Sequence, residues 1–235
     1  MNRLLVALTL LFIISCSKSD ATIDDAKKSL EKQYPNIQIS SINKIDQDFF
    51  EVKIGEEIYY LTLDLKHLIA GNIIEMSTGN NITENSYKKA RLDYLSQISD
   101  DDVILYASAN SKHTLTIFTD TSCPYCQKLH NEIDSLVSNN ISIKYVLFSR
   151  NGSDSDAYND MVSVWCSKDK KKSLDELFDT SFIESKTCEN PIDDNYIKAM
   201  DLKVNGTPMI FFDDGSVIPG YVSSDKIIEA LRSKN

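Results

Sequence analysis

The sequence lacks three features that would place the chain in other protein classes. Its 25 basic residues are outnumbered by 35 acidic ones, and the net charge of -10 excludes the basic patch that nucleic-acid binding needs. With only 7 glycines and 5 prolines, it is neither collagen-like nor a long disordered chain. No apolar run reaches the ~20 residues that a membrane-spanning helix requires. An ordinary globular protein remains.

The longest apolar run is near the N-terminus, where Leu4 to Ile14 follows Arg3. Its length is typical of the hydrophobic region of a secretory signal peptide. The following Ile13-Ile14-Ser15-Cys16 resembles the bacterial lipoprotein box, in which the cysteine is acylated and becomes the mature N-terminus. We therefore expect a periplasmic protein whose one membrane attachment is a lipid on Cys16. A plain signal peptide with an accidental cysteine is the alternative.

Five cysteines minus the lipidated one leave an even number for an oxidising compartment. The four are Cys123, Cys126, Cys166 and Cys188. Four cysteines allow three pairings, and sequence alone does not choose among them. The lone Cys-x-x-Cys makes Cys123 with Cys126 the local choice, which leaves Cys166 with Cys188.

Periodicity predicts two α+β units joined by a helix. The first unit has a helix over 24–32 and strands over 37–42, 49–54, 58–63 and 69–76. The second has strands over 115–118, 141–148, 209–212 and 217–218, helices over 123–138 and 224–232, and a mostly helical stretch over 155–201. The predicted boundaries are a signal peptide (1–15), a tether (16–21), a small domain (22–80), a linker helix (81–101) and a catalytic domain (102–235). The first unit has few large apolar residues, so a dimer partner would help to bury its sheet edge.

The motif Cys123-Pro124-Tyr125-Cys126 follows a predicted strand and opens a predicted helix. Free N–H groups at a helix start stabilise an anion, and such placement lowers a thiol pKa from about 8.5 toward 3.5–7.5. Pro124 suits a first helical turn because its missing N–H has no partner there. Cys126 lies on the same helix face. We therefore predict that Cys123 attacks a substrate disulfide and that Cys126 resolves the mixed disulfide.

Two other interpretations of the motif stay open. A zinc site would need four ligands, and no second Cys-x-x-Cys or His-x₃₋₅-His is present. His130 lies four residues after Cys126, but a lone helix histidine is more often a surface or packing residue. The other alternative is a purely structural Cys123–Cys126 disulfide. We predict no metal and no cofactor besides a redox-active Cys123–Cys126 disulfide.

A second signal is Gly206-Thr207-Pro208, which leads directly into the apolar stretch Met209 to Phe212. Proline is unusual at a central strand because it cannot donate to the ladder. At the entry of the strand it could be a cis proline. An ordinary trans proline is the alternative.

These residues together resemble the thioredoxin-fold disulfide isomerases of the DsbC/DsbG family. The resemblance rests on segments spread over nearly the whole mature chain: Lys66-His67, Phe118-Thr119-Asp120, Cys123-Pro124-Tyr125-Cys126, Lys128-Leu129-His130, Trp165-Cys166, Gly206-Thr207-Pro208 and Pro219-Gly220-Tyr221. The Pro-Tyr dipeptide looks like DsbG, whereas the Cys166 and Cys188 positions look like DsbC. The lipoprotein box is atypical of the family.

The resemblance implies an α+β homodimer with an N-terminal dimerisation domain, a linker helix and a thioredoxin-fold domain carrying a helical insertion. It implies that cis Pro208 packs against the cysteine pair, that Thr207 offers backbone groups to a substrate strand, and that Pro124 and Tyr125 support the site. It also implies that Cys166 and Cys188 form a structural disulfide.

The function that the resemblance implies is isomerisation of incorrect disulfides in misfolded periplasmic proteins. That role needs reduced Cys123, so a membrane reductase of the DsbD type is an expected partner. The alternatives are a DsbG-like reductase of protein thiols, a DsbA-like oxidase, and a non-catalytic holdase chaperone.

Overall fold

The computed structural model describes residues 21–45 and 48–233. The predicted signal peptide and Cys16 lie outside the described residues, as does the predicted tether apart from Ala21. The chain forms two compact units that divide between Asn72 and Ile73. Within the two described ranges, no helix combines the length and apolarity needed to cross a bilayer.

The first unit packs one helix on a four-stranded antiparallel sheet. Its elements are α1 (Ile23–Gln33), β1 (Ile39–Ile45), β2 (Phe49–Ile54), β3 (Glu57–Thr62) and β4 (Leu68–Ala70), with sheet order β1-β2-β3-β4. Thr22 caps α1 by accepting the N–H of Asp25, whose carboxylate accepts the N–H of Thr22 in return. Alternation in β2 turns Phe50 and Val52 inward, where they meet Leu30 of α1.

The prediction of a single strand over 69–76 is wrong. That stretch holds β4 and a separate short strand, β5 (Ile74–Glu75), which pairs with β6 (Asn80–Asn81). Between them Gly71 has φ +149°, a conformation that glycine adopts without a steric cost. The β5–β6 hairpin belongs to the second unit, because the division of the chain precedes it.

The second unit is built on a five-stranded mixed sheet. Its strands are β7 (Ile104–Tyr106), β8 (His113–Thr119), β9 (Ile141–Leu147), β10 (Met209–Phe211) and β11 (Val217–Pro219), in the order β11-β10-β8-β9-β7. The central pair β8 and β9 is parallel, as the strand–helix–strand pattern predicts, and the remaining pairs are antiparallel. Strand β7 was not predicted from the sequence.

Seven helices accompany this sheet. They are α2 (Ile82–Leu95), α3 (Pro124–His130), α4 (Ile133–Ser138), α5 (Asp156–Trp165), α6 (Lys170–Thr180), α7 (Ile192–Asp201) and α8 (Ser224–Arg232). Helices α5 to α7 form an insertion between β9 and β10. The prediction of one helix over 123–138 is wrong, because the chain leaves the helix at Asn131 and Glu132. The Glu132 carboxylate accepts the N–H of Ser224 at 2.7 Å and the hydroxyl of Tyr221, two contacts made far along the chain.

Apolar residues on both faces of the sheet are buried. In β8, Leu115 and Ile117 join one core cluster, whereas Phe118 joins the other with Phe211. This follows from the two-residue period of a strand, which sends neighbouring side chains to opposite faces. A sheet covered on both faces holds the end of β8 rigidly, and the cysteine motif begins there.

Helix α2 is docked on the turn between β10 and β11. Lys88 Nζ lies 3.2 Å from Asp214 Oδ2, and Arg91 Nη1 donates to the carbonyl oxygen of Gly215 at 3.0 Å. Gly215 has φ +78°, and a side-chain carbon there would stand 2.4 Å from the Lys88 carbonyl oxygen. Glycine is therefore required at this close approach.

Candidate active site

The cysteine motif lies where β8 passes into α3. Cys123 is the N-cap residue, with φ -90° and ψ 117°, and its N–H donates to the Asp120 carbonyl at 3.0 Å. Pro124 takes the first helical position, where a backbone N–H would have no intrahelical partner. Both sulfur-bearing residues are buried, Cys123 to 3% exposure and Cys126 to 1%. The two thiols are free in this structure.

The two thiols differ in acidity. Burial alone raises the pKa of Cys123, but its contacts with Thr207, Cys126 and Tyr125 outweigh burial and lower that pKa from its ordinary value. Burial raises the pKa of Cys126 to about 12, because the bonds that it receives do not compensate for its deeper position. Cys123 is therefore the more acidic of the two thiols, and Cys126 keeps its proton at neutral pH.

The Thr207-Pro208 segment lies against Cys123. The peptide bond before Pro208 is cis, and the Cys123 thiol donates to the Thr207 carbonyl oxygen at 3.3 Å. Sheet register explains the approach: Met209 pairs with Phe118, so the residues just before β10 come beside the end of β8. The Pro208 carbonyl accepts the N–H of Gly220 at 2.8 Å. This fold thus brings together residues 84 positions apart.

Tyr125 lies on the surface beside the motif, with 62% of its area exposed. Its ring stacks on Tyr221, with centroids 6.3 Å apart and planes inclined by 23°. Lys128 Nζ lies 4.5 Å from the centre of the Tyr221 ring. Exposed Tyr125 and half-buried Tyr221 thus form a flat aromatic surface beside the cysteine motif.

A buried ion pair holds the loop before the motif, and the sequence reasoning assigned it no role. The Asp120 carboxylate is fully buried, accepts the N–H and hydroxyl of Ser122 at 2.8 and 2.7 Å, and accepts Nε of Arg150 at 2.9 Å. Burial would raise the pKa of Asp120, but these bonds lower it below its usual value. The Asp120 N–H also donates to Cys126 Sγ at 3.5 Å. In the sequence, the position of Asp120 directly after a predicted strand could have indicated a role at the site, whereas no pattern distinguishes Arg150 from a surface residue.

His130 is a buried packing residue at the end of α3. Its Nε2 lies 3.1 Å from Asp175 Oδ1, and its ring centre lies 4.5 Å from that of Phe178. Burial lowers the pKa of His130, and the Asp175 carboxylate opposes the shift. The pair fastens the motif helix to α6 of the insertion.

The other two cysteines are joined in a disulfide that spans 22 residues. Cys166 follows the last residue of α5, and Cys188 lies in the loop before α7, so the bond fastens this loop to the end of α5 within the helical insertion. Of the residues that the sequence nominates, the structure gathers Cys123, Pro124, Tyr125, Cys126, Thr207 and Pro208 in one place and Cys166 with Cys188 in another. Cys16 lies outside the described residues.

Two family models match the chain. A thioredoxin-like domain matches residues 100–235, and a disulfide bond isomerase protein N-terminal domain matches residues 17–84. The first covers the sheet and helices around the cysteine motif. The second covers the α1 unit, which holds no cysteine among its described residues.

Curated relatives match over most of the chain. The thiol:disulfide interchange protein DsbC of Salmonella typhimurium is 34% identical over 204 residues, which is 86% of this chain and 82% of the relative. The same-named protein of Escherichia coli is 33% identical over 174 residues, 74% of this chain and 72% of the relative.

Solved structures confirm the predicted thioredoxin fold. A disulfide interchange protein from Neisseria gonorrhoeae aligns with a TM-score of 0.52 at 23% identity, over 57% of this chain and 96% of that one. The catalytic domain of Proteus mirabilis ScsC aligns with a TM-score of 0.53 at 16% identity, over 64% of this chain and 97% of that one.

Proposed function

Because the chain belongs to the DsbC family of thiol:disulfide interchange proteins, we propose that it rearranges incorrect disulfides in secreted proteins through Cys123. The observation that carries this proposal is the placement of two free thiols three residues apart, with Cys123 at the N-cap of α3 against the Thr207 carbonyl. Cys123 is held acidic at the entrance to α3, while Cys126 behind it keeps its proton up to about pH 12.

The exchange follows from that asymmetry. The Cys123 thiolate attacks one sulfur of a substrate disulfide, a new bond forms between the two sulfurs, and the other substrate sulfur leaves as a thiolate that takes up a proton. The freed thiol then attacks another disulfide of the substrate. When a substrate thiolate attacks the mixed disulfide, Cys123 is released as a thiolate, and no net oxidation has occurred. Cys126 ends unproductive encounters: it loses its proton and attacks the Cys123 sulfur, a Cys123–Cys126 disulfide forms, and the substrate sulfur leaves as a thiolate. The substrate is then reduced and the enzyme oxidised, so the proposed membrane reductase must restore the two thiols.

The Thr207-Pro208 segment supports binding of an extended substrate. The register of β10 with β8 places the Thr207 backbone beside Cys123, where it can pair with a strand in the manner of β-augmentation. Main-chain pairing recognises no side chain in particular, which suits an enzyme that acts on many misfolded proteins.

The location and partners belong to the same proposal. The chain is exported to the periplasm, anchored through acylated Cys16, and forms a homodimer through residues 22–80. Residues 81–101 link this domain to the catalytic domain (102–235). A DsbD-type membrane reductase keeps Cys123 reduced, and misfolded periplasmic proteins are the clients. The match of residues 17–84 to an isomerase N-terminal domain supports the dimer.

The deciding experiment is reactivation of a scrambled-disulfide protein by the full chain in a mildly reducing buffer. We expect reactivation that disappears in Cys123→Ser. If the chain reduces insulin disulfides but restores no scrambled protein, it is a reductase or oxidase, to which the DsbG-like Pro124-Tyr125 dipeptide points. Suppression of aggregation that survives replacement of Cys123 and Cys126 by alanine, without any reactivation, would identify a holdase.

A further inference from the structure

A cavity of about 240 Å³ opens beside Cys123, between the start of α3 and the helical insertion. Its walls come from the loop before α3, from α3 itself, and from α5, α6 and the residue after α6. They are lined by Thr121, Ser122, Cys123, Pro124, Gln127, Asp160, Leu177, Phe178 and Ser181. Among these described lining residues, none comes from the Thr207-Pro208 segment. The cavity therefore meets the proposed strand-docking position only through Cys123, which contacts the Thr207 carbonyl.

The chemistry of the cavity is amphipathic with one negative charge. Leu177 and Phe178 are buried and contribute apolar surface, while hydroxyl and amide groups line other parts. Asp160 of α5 is the one carboxylate among the lining residues, and no lysine or arginine is among them. An occupant with an apolar stem and a cationic end would match both parts of such a wall.

Asp160 lacks a partner within the described part of the chain. Its half-buried side chain makes no hydrogen bond or ion pair with any residue in 21–45 or 48–233. Burial raises its pKa above the usual value, and repulsion from Asp156 raises it further. A carboxylate that has lost water and gained no donor is stabilised by an incoming cation.

We propose that this cavity is a subsite for a lysine or arginine side chain of the substrate polypeptide, close to the cysteine that Cys123 attacks, with Asp160 as the specificity-determining residue. The inference rests on the proposed attack by Cys123 and adds a preference among substrate cysteines. The substrate backbone pairs with Thr207 while a neighbouring basic side chain enters the cavity. A cation bound there also stabilises the nearby Cys123 thiolate.

The test measures single attacks at Cys123. The full chain carrying Cys126→Ser is mixed with short peptides whose one cysteine is a mixed disulfide with thionitrobenzoate. Cys123 bonds to the peptide sulfur, and coloured thionitrobenzoate leaves with the electron pair. Lysine, norleucine or glutamate occupies each of two positions on either side of the cysteine. Norleucine keeps a comparable apolar stem without the charge.

At one position we expect the lysine peptide to react about tenfold faster than the norleucine peptide, as one charge-assisted contact would give. Asp160→Asn should reduce this ratio to about twofold or less, and Asp160→Lys should favour glutamate. The matched control is Asp154→Asn, which removes an equal charge from an exposed residue outside the cavity. It should keep the tenfold ratio.

Three results would overturn the inference: no lysine preference at any position, an undiminished preference in Asp160→Asn, or an equal loss in Asp154→Asn. The last would assign the effect to general surface charge. Reactivation of scrambled protein is measured separately. A chain that prefers lysine peptides but reactivates nothing keeps this subsite and refutes the isomerase proposal. A chain that reactivates scrambled protein without any lysine preference supports the isomerase proposal and refutes the subsite.

Discussion

Cys123 and Cys126 lie three residues apart at the start of a helix, whereas Cys166 and Cys188 lie 22 residues apart and connect a helix end to a loop. The first pair is buried among backbone donors, the Thr207 segment and the Asp120–Arg150 ion pair. Cys188 in the second pair is exposed. The comparison teaches that surroundings separate a reactive pair from a cross-link, since all four side chains are identical.

The largest expected effect comes from Cys123→Ser. Removing the nucleophile should lower disulfide exchange by at least about 10³-fold, because a hydroxyl at neutral pH does not replace a thiolate. Insulin reduction and reactivation of scrambled protein both measure this. Cys126→Ser should instead retain attack and accumulate mixed disulfides, visible on non-reducing gels. Full activity in Cys123→Ser would refute the mechanism.

Alkylation separates the two thiols of the reactive pair. In the reduced protein at pH 7, iodoacetamide should modify Cys123 at least about 100-fold faster than Cys126, because the reagent reacts with thiolate. As the pH rises, the Cys123 rate should level off first, whereas the Cys126 rate should still be rising at pH 9, since the pKa of Cys126 is about 12. Mass spectrometry of quenched samples gives both rates. Equal alkylation rates of Cys123 and Cys126 at pH 7 would show that the two thiols do not differ in acidity.

The combined Cys166→Ser and Cys188→Ser change tests the other side of the comparison. Opening a 22-residue loop should lower the free energy of unfolding by about 3 kcal/mol in the chain-entropy model. Guanidinium unfolding measures this loss, and exchange at Cys123 should persist. Loss of exchange in a variant that remains folded would show that the cross-link also serves the reactive pair.

The smallest effect is expected from Asp120→Asn. Its folded-state pKa is lowered, so Asp120 contributes stability above the unfolded pKa of about 3.9, and this contribution is lost as pH falls through the folded value. We expect a free energy of unfolding about 2 kcal/mol lower at pH 7, a value reduced because Arg150 is partly exposed. The difference should shrink as the pH falls toward 2. Urea unfolding at both pH values measures it. Asp154→Asn, at an exposed site, should leave the free energy of unfolding unchanged at both pH values. If Asp120→Asn lowered that free energy equally at pH 7 and pH 2, the loss would not come from the carboxylate charge.

The elements with strong periodicity were predictable from the sequence. Strand β2 (Phe49–Ile54) and helix α8 (Ser224–Arg232) have the predicted bounds, because alternating and amphipathic patterns agree there with the packing. Strand β7 was not predicted because its pattern is only three residues long and no motif marks its start, whereas Gly206-Thr207-Pro208 precedes the equally short β10. The interruption of the helix after His130 was not predicted either, because Glu132 is bonded to Tyr221 and Ser224, which lie about 90 positions away.

The site was predictable where its residues share a local motif. Cys123 to Cys126 and Thr207-Pro208 could be found by spacing and by the family resemblance. The Arg150 partner of Asp120 and the Asp175 partner of His130 could not, because each pairing depends on how distant segments meet. Ion pairs with one buried and one partly exposed partner leave little trace in a single sequence, since either partner alone looks like an ordinary surface charge.

The close approach at Gly215 determines where the catalytic unit can be cut. The thioredoxin-like match begins at residue 100, yet Tyr94, Leu95 and Ile98 pack into the same core cluster as Phe118 and Phe211. A truncation at residue 100 would expose the rings of Phe118 and Phe211. It would also remove α2, whose backbone packs against Gly215 because glycine has no side chain. An excised catalytic fragment should therefore begin before Ile82, so that it retains α2 and the apolar residues that cover this part of the core.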